Sequence, residues 1–347
     1  MKVIGIVGTA KNTGKTTVLS FILNYFSKMN LNIAISGIGF DGEEIDNITL
    51  LPKPRLYMES NIIAITSEKC LINSDVKYEL LRRTNIYTAL GEILIVKITR
   101  PGLLVLAGPN KKTDLEIIVD LVKDYDCKYF FVDGSLNRIS PMSIVDRIIF
   151  TTGASRNTDS KALVKEMSII EKIFSLNKID KDLIPNKRIQ IRFDKRVETL
   201  ESTSLASVED VNKIVMSIGS PFSSISIPGF VTSGGITNLC KSLIAKFSID
   251  YKIILNSPIH LLLSSDFESL NFTLSTIENS RCKIEYSNKP ELVAVTVNPF
   301  YPKINNFHYE PGYIDKDELK SSMEESLRVS VINVKDNGSL LVDKLIS

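Results

Sequence analysis

The pattern of apolar and polar residues is typical of a chain in which buried strands alternate with amphipathic helices. A first strand is predicted at residues 2–7, a short β-branched run of the kind found inside a parallel sheet. The run ends at Gly8, and apolar residues then recur every three or four positions from Val18 to Met29, as in a helix with one buried face. This order predicts an α/β fold with a mostly parallel, doubly wound sheet.

The alternation continues along the first half of the chain. Further strands are predicted at residues 32–37, 61–66, 91–99, 102–107 and 146–152, and in the apolar run that ends at Asp133. Helices are predicted at residues 76–83, 113–125 and 159–176. The run 102–107 is continuously apolar, as in a central strand. Thr113 and Glu116 have the spacing of a capping box.

A polar stretch that contains Pro185, residues 180–187, is the best candidate for a domain boundary. Beyond it the pattern restarts, with strands predicted at 188–193, 224–227, 252–255, 283–286, 292–297 and 329–334, and helices at 208–218, 236–247 and 315–327. We therefore predict two domains, residues 1–180 and 181–347, the second being a smaller α/β domain.

The loop between the first strand and the first helix carries the clearest chemistry. It is formed by Gly8, Thr9, Ala10, Lys11, Asn12, Thr13, Gly14, Lys15, Thr16 and Thr17. A glycine-rich loop that ends in Gly-Lys-Thr and opens a helix is a P-loop, because free N–H groups at the helix start bind phosphate. Lys15 is then expected to reach the β- and γ-phosphates, and the Thr16 hydroxyl to bind Mg²⁺. The sequence predicts binding of a nucleoside triphosphate.

The loop departs from the usual spacing, because its first glycine is Gly8 rather than residue 9. In this register it resembles the P-loop proteins of the dethiobiotin synthetase and cobyrinic acid amidase branch. Partitioning and septum-placement ATPases carry a dimer-bridging lysine where this chain has Ala10. Lys11, one position later, is either a phosphate ligand or a solvated lysine. Because it lies one position away from the dimer-bridging lysine of those ATPases, the oligomeric state stays open, with a homodimer as one alternative.

Carboxylates are expected on the metal side of the loop. Asp133 ends a large apolar strand, where it can hold Mg²⁺ or its water shell beside the P-loop. In the dethiobiotin synthetase branch a glutamate followed by glycine occupies this place. Asp41, just past the second strand, is either a further Mg²⁺ ligand or part of an Asp-Gly turn, with Glu43, Glu44 and Asp46 as substitutes. Arg138 is either a phosphate ligand or a salt-bridge partner.

Asn177, Lys178, Ile179 and Asp180 spell the guanine-binding tetrapeptide of GTPases. The context argues against that role, because the preceding residues have helical rather than strand periodicity, and Asp133 is not followed by the GTPase pattern D-x-x-G. ATP is therefore preferred, and a GTPase is the weaker alternative.

Composition narrows the function classes. The 42 basic and 40 acidic side chains are interspersed, so nothing indicates binding to nucleic acid or a membrane surface, and a cytoplasmic protein is expected. The four cysteines are scattered, so buried free thiols are favoured over zinc or disulfides. His260 is interpreted as a core residue. The turn at Ser233, Gly234 and Gly235 precedes a helix and could receive an anion, although such turns usually do not.

The segments GTAKNTGKTT, GIGFDGEEID, LPKPRLYMES, NIIAITSEKCL, VLAGPN, VDGSLNR and TTGAS resemble, over roughly the first 160 residues, a clostridial family encoded beside lysine-fermentation enzymes. Its members are described as a subunit of the reactivating factor for lysine 5,6-aminomutase, an adenosylcobalamin enzyme. The resemblance implies an ATPase that works with a partner ATPase subunit to release damaged cobalamin, with the C-terminal domain as candidate docking surface. The alternative is a ligase in which ATP activates a small carboxylate.

Overall fold

The computed structural model describes residues 1–39, 55–179, 187–263, 266–305 and 308–347. The chain divides into two compact units. The large unit contains Met1–Met167 and Glu291–Ser347, and the inserted unit contains Ser168–Pro290. The large unit is therefore discontinuous in sequence.

The secondary structure alternates between strands and helices, as the sequence predicts. The strands are β1 (Lys2–Gly8), β2 (Ile33–Gly37), β3 (Leu56–Met58), β4 (Ile63–Ser67), β5 (Lys77–Thr88), β6 (Gly91–Arg100), β7 (Gly102–Leu104), β8 (Tyr129–Ser135), β9 (Arg147–Gly153), β10 (Asn177–Lys178), β11 (Gln190–Arg192), β12 (Val197–Thr199), β13 (Ser224–Ile227), β14 (Tyr251–Leu255), β15 (Cys282–Tyr286), β16 (Glu291–Asn298), β17 (Phe300–Asn305), β18 (His308–Tyr313) and β19 (Ser330–Ile332). The α-helices are α1 (Lys15–Lys28), α2 (Glu68–Ile72), α3 (Lys112–Val122), α4 (Ser160–Ser175), α5 (Val208–Ser217), α6 (Ser233–Lys246), α7 (Pro258–Leu262), α8 (Phe267–Glu278), α9 (Lys316–Ser326), α10 (Val334–Asn337) and α11 (Ser339–Ile346).

The large unit is built on a mostly parallel sheet, which confirms the predicted fold class. Within the described residues it has nine strands in the order β19-β16-β9-β1-β8-β2-β4-β6-β5. Neighbours from β19 to β4 are parallel, and the β5–β6 hairpin adds two antiparallel strands at one edge. Because β1 lies between β8 and β9, the carboxyl ends of these strands meet at one edge of the sheet.

Helix α1 is held on the sheet by its apolar face. Its Val18, Leu19, Ile22, Leu23 and Phe26 are all buried. The Phe26 ring packs edge-on against Tyr129 and Phe131 of β8, with ring centroids 5.0 and 5.6 Å apart. Burying a side chain of this size contributes about 1.5–3 kcal/mol. This packing fixes the start of α1 next to the ends of β1 and β8.

The predicted boundary at residue 180 is corrected by the strands that follow the inserted unit. Residues Glu291 to Asn298 of β16 pair in parallel with Arg147 to Gly153 of β9, and β19 pairs with β16. The last part of the chain thus belongs to the first sheet. An apolar strand can pair in either of two parallel sheets, and its own sequence does not specify which one it joins.

Three local predictions also fail. Residues 76–83, predicted as a helix, lie largely in β5, a mostly exposed edge strand whose conformation is set by pairing with β6. The run 102–107 contains the short strand β7, which pairs with β3 in a separate two-stranded ribbon. Helix α3 begins after Lys111 without a side-chain cap, so Thr113 and Glu116 form no capping box.

The inserted unit contains a smaller mixed sheet. Among its described residues six strands follow the order β10-β15-β14-β13-β11-β12, with parallel pairing from β10 to β13 and antiparallel pairing beyond. Helix α5 begins with a capping box formed by Ser207 and Asp210. No helix in the described parts of either unit is long and apolar enough to cross a membrane.

Candidate functional site

The loop from β1 to α1 has a backbone that only a few residue types adopt easily. Asn12 has φ 60° and Gly14 has φ 99°, both in the left-handed region. Gly14 is the N-cap residue of α1, and no described side chain caps the first turn. The N–H groups of that turn are therefore available to an anion, and the positive end of the helix dipole favours one there.

The position of Gly8 is explained by the side chains that pack over it. A Cβ atom at Gly8 would lie 2.8 Å from Lys15 Cδ and 2.9 Å from Thr13 Oγ1. Lys15 thus folds back from the start of α1 across the end of β1. A side chain at residue 8 would displace the lysine, which is the physical reason for glycine at this point of the loop.

Threonine takes the place of the usual glycine at residue 9, and it anchors the loop to β9. Thr9 is buried, and its hydroxyl donates to Thr152 Oγ1 at 3.1 Å and lies 3.3 Å from the Thr151 carbonyl oxygen. The Thr9 backbone N–H also donates to the Thr151 carbonyl oxygen at 3.0 Å. The spacing that departs from the usual P-loop is therefore compensated by a hydroxyl anchor.

A second anchor lies further along the loop. The Thr13 hydroxyl donates to the Ala10 carbonyl oxygen at 3.0 Å and lies 3.1 Å from Thr151 Oγ1. Thr13 and Thr151 are both buried. These contacts rigidify the loop without using the N–H groups at the start of α1. Thr13 was predicted as part of the loop, whereas the contribution of Thr151 and Thr152, which lie far away in sequence, was not predicted.

Asp133, near the end of β8, lies beside Lys15. Lys15 Nζ is 3.3 Å from Asp133 Oδ1, and the two side chains are 24% and 28% exposed. Asp133 Oδ1 itself is buried, and apart from this ion pair it has no hydrogen-bond partner among the described residues. Burial raises the pKa of Asp133, while the Lys15 ammonium and the Arg138 guanidinium act in the opposite direction. The buried oxygen fits the oxygen chemistry that Mg²⁺ prefers.

The structure describes some of the other residues that were predicted to bind phosphate or Mg²⁺. Thr16 is partly exposed in the first turn of α1, and Lys11 and Thr17 are exposed. Arg138 lies near Gly39, since a Cβ at Gly39 would be 3.2 Å from one guanidinium nitrogen. Asp41, Glu43, Glu44 and Asp46 lie outside the described residues.

Asn298 at the end of β16 joins the loop from the other side. Its Nδ2 donates to the Asn12 carbonyl oxygen at 2.9 Å, and its Oδ1 accepts from Phe300 N–H at 3.3 Å. A Cβ at Gly14 would lie 3.3 Å from Asn298 Cβ. This residue was missed. An asparagine at the end of an apolar strand, followed by proline, is the sequence signal that could have indicated it.

A cavity of about 270 Å³ continues from the start of α1 toward the last part of the chain. It is lined by Thr13, Gly14, Thr17, Val18, Thr296, Val297, Asn298, Pro299, Tyr313, Lys316, Asn333, Val334, Lys335 and Asp336. Its polar side is a network in which Asp336 accepts from Lys316 Nζ at 3.1 Å and from Asn333 Nδ2 at 2.9 Å. The large unit thus places a mixed polar and apolar cavity beside the loop.

The turn before α6, Asn177 and His260 belong to the inserted unit. The N–H of Gly235 is capped by the Thr232 hydroxyl at 2.9 Å, so the turn before α6 satisfies that donor internally. Asn177 and Lys178 form β10 of the inserted sheet, and Asp180 lies outside the described residues. His260 is half-buried, 3.3 Å from the Ser257 hydroxyl. All four cysteines are free and buried, as predicted.

Comparison with known proteins found no matching protein family and no matching curated protein. Among solved structures, the chain is similar to the MinC:MinD cell division protein complex of Aquifex aeolicus, at 10% identity over 86% of this chain and 81% of that chain. The TM-score is 0.26, too low to support an argument about function. The class of protein therefore follows from the fold and the loop: an α/β chain with a P-loop-like strand, loop and helix.

Proposed function

We propose that the chain is a Mg²⁺-dependent, ATP-binding P-loop protein that hydrolyses ATP. The observation that carries this proposal is the position of Lys15, which lies over Gly8 at the uncapped start of α1 with its Nζ 3.3 Å from Asp133 Oδ1. A cation, free N–H groups and a carboxylate are the groups that a triphosphate with its metal requires. This chain brings them together at the carboxyl edge of a parallel sheet, where α/β proteins bind ligands.

Each residue has a distinct part in this proposal. The N–H groups of the loop and of the first turn of α1 bind the phosphate oxygens, and Lys15 donates to the β- and γ-phosphates. The hydroxyl anchors of Thr9 and Thr13 hold the loop open for phosphate. Thr16 and Asp133 would hold Mg²⁺. When bound, that ion neutralises charge on the phosphates during transfer of the γ-phosphoryl group.

The nucleoside end of ATP is assigned to the cavity beside the loop. The cavity begins at Thr13, Gly14 and Thr17, which are also part of the phosphate loop, so one ligand can occupy both places. ATP is preferred over GTP because the guanine-binding tetrapeptide follows helix α4 rather than a buried strand, and because Asp133 is not followed by the pattern D-x-x-G. A GTPase remains the weaker alternative.

The proposal extends to a protein partner through the family resemblance. ATP turnover would act on an adenosylcobalamin-dependent aminomutase, lysine 5,6-aminomutase, together with a partner ATPase subunit. Residues 168–290 are then the candidate docking unit, since they form a compact unit of their own and none of their described residues is among those that line the cavity. The competing role is ATP-dependent ligation of a small carboxylate.

Calorimetric titration of the full chain with ATP and with GTP, each with and without Mg²⁺, tests the nucleotide. We expect ATP to bind more tightly than GTP and Mg²⁺ to strengthen ATP binding. Absence of nucleotide binding would refute the proposal.

Pull-down with the aminomutase, and rescue of the inactivated mutase by ATP, Mg²⁺ and fresh cobalamin, test the partner. Formation of an acyl phosphate or amide without rescue would establish the ligase instead.

A further inference from the structure

Tyr313 is an exposed aromatic residue at the rim of the cavity. It is 64% exposed, although it is one of the residues that line the cavity beside the loop. Large aromatic side chains are costly to leave in water, because each can bury 150–250 Å² of surface. Within the described part of the chain, contacts leave most of this ring uncovered, so the ring is available to a ligand in the cavity.

The ring of Tyr313 packs against a neighbouring aromatic ring. Tyr313 lies directly opposite Phe300 in the antiparallel β17–β18 ribbon. The two rings meet edge to face, with centroids 5.8 Å apart and planes 65° apart. Such a pair contributes specific geometry beyond burial. Phe300 covers only part of the tyrosine, because the two rings meet in an edge contact. The rest of the Tyr313 side chain is exposed.

The backbone around the pair is also fixed. The N–H of Ile314 donates to the Pro299 carbonyl oxygen at 3.0 Å, and the Ser155 hydroxyl donates to the Phe300 carbonyl oxygen at 2.9 Å. Two residues beyond Tyr313, the Asp315 carboxylate caps α9 by accepting from the N–H groups of Asp317 and Glu318. A ring on such a support loses little conformational freedom when a ligand binds.

We propose that Tyr313 is the stacking platform for the base of the bound nucleotide. This inference rests on the proposed function, which places phosphates at α1 and the nucleoside in the cavity. Tyr313 then provides an aromatic face at the rim, while Lys316, Asn333 and Asp336 provide the polar side of the same cavity. Stacking on an aromatic ring tolerates any base, so Tyr313 distinguishes nucleotides from phosphate chains that lack a base.

Two ligands separate stacking from phosphate binding: ATP and inorganic tripolyphosphate, each with Mg²⁺. Replacing Tyr313→Ala should weaken ATP binding by about tenfold, the size expected for loss of one base–aromatic stack. Tripolyphosphate binding should be unchanged, and Tyr313→Phe should retain the affinity for ATP. Tyr87→Ala is the matched control, because Tyr87 is an exposed tyrosine, 71% exposed, on the β5 edge strand.

A fluorescence measurement gives a second test, because the sequence contains no tryptophan and an introduced one would be the only indole. Tyr313→Trp provides a single indole at the rim, whose fluorescence should change on binding of ATP and stay constant on binding of tripolyphosphate. Unchanged ATP affinity in Tyr313→Ala, or an equal loss for both ligands, would overturn the stacking role. Neither result would contradict the proposed function, because the unaltered chain would still bind ATP. Failure of the unaltered chain to bind either ligand would instead overturn the proposed function and the stack with it.

Discussion

Each unit contains a helix that follows a strand and a glycine-containing turn, but a side chain caps the start of the helix in only one of the two. In each, a buried parallel strand runs through a glycine-containing turn into a 14-residue helix: β1 into α1 and β13 into α6. At α6 the Thr232 side chain caps the helix by accepting from Gly235 N–H. At α1 the N-cap is Gly14, which has no side chain to offer. A helix start becomes an anion site when the fold leaves its donors uncapped and adds a cation.

The loop at α1 is nevertheless stabilised, by contacts that leave the first turn free. Thr9 and Thr13 direct their hydroxyls toward β9 and toward the loop's own carbonyl oxygen. At α6 the corresponding role falls to Thr232, whose hydroxyl serves both Gly235 N–H and the Ala206 carbonyl oxygen. The same residue type therefore stabilises the loop of the proposed phosphate site in one place and caps a helix in the other.

The strongest test of this comparison removes the cation. Lys15→Ala should weaken ATP binding by about 1.5–3 kcal/mol, because it deletes a charge-assisted contact to phosphate. Calorimetric titration with Mg²⁺ and ATP measures the loss. Lys28→Ala is the matched control, since Lys28 is an exposed lysine in the last turn of the same helix. Equal affinity in the two variants would contradict a phosphate-binding role for Lys15.

The next test concerns the carboxylate beside the cation. Asp133→Asn keeps the size of the side chain and should leave the fold intact, while lowering Mg²⁺-dependent phosphate release about tenfold to a hundredfold. Release of phosphate from ATP is measured over a series of Mg²⁺ concentrations. Asp146→Asn is a poor control because Asp146 Oδ2 accepts from Val3 N–H at the start of β1. Asp120→Asn is suitable, since Asp120 forms an exposed ion pair with Lys123. Full activity of Asp133→Asn would place the metal elsewhere.

A third test compares glycines at the two helix starts. Gly14→Ala forces a Cβ into a left-handed backbone and toward Asn298, so it should destabilise the chain by about 1–2 kcal/mol. Gly234→Ala meets no atom within 4 Å and has no left-handed φ. It should therefore stabilise α6 by about 0.5–1 kcal/mol. Denaturant unfolding gives both values, and shifts in the same direction would break the comparison.

The smallest effect is expected at the cap itself. Thr232→Ala removes the hydroxyl that accepts from Gly235 N–H and should cost about 1 kcal/mol or less of stability, as for other N-caps. Its affinity for ATP should equal that of the unaltered chain. Thr232→Ser retains a hydroxyl and is the conservative control. A gain of anion binding at α6 in Thr232→Ala would sharpen the comparison, because it would show that the cap alone had suppressed a site.

Local sequence signals predicted the α/β class and the centre of the candidate site. The strand before Gly8, the helix after Gly14 and the carboxylate Asp133 all follow from short patterns in the chain. They are visible because a buried strand, a turn and a one-sided helix each leave a periodicity that nearby residues alone determine.

The failures share a different cause. Strand β5 has the polar and apolar spacing of a helix, but pairing with β6 determines its conformation. Thr151 and Asn298 reach the loop from positions more than 130 residues away, through hydrogen bonds to Thr9 and Asn12. Contacts of this kind depend on which strands become neighbours in the sheet. A single sequence carries no pairing information of that range.

The discontinuity of the large unit has a consequence for the order of folding. The P-loop is synthesised before β16 and β19, which close the sheet beside β9 only after the intervening 168–290 segment has been made. Asn298, Tyr313 and Asn333 are therefore absent from a nascent chain that already contains Lys15. Long-range strand pairing is slow relative to local structure. Formation of the cavity would consequently wait for synthesis of β16 to α10, since a nascent chain that ends before β16 lacks most of the residues that line the cavity.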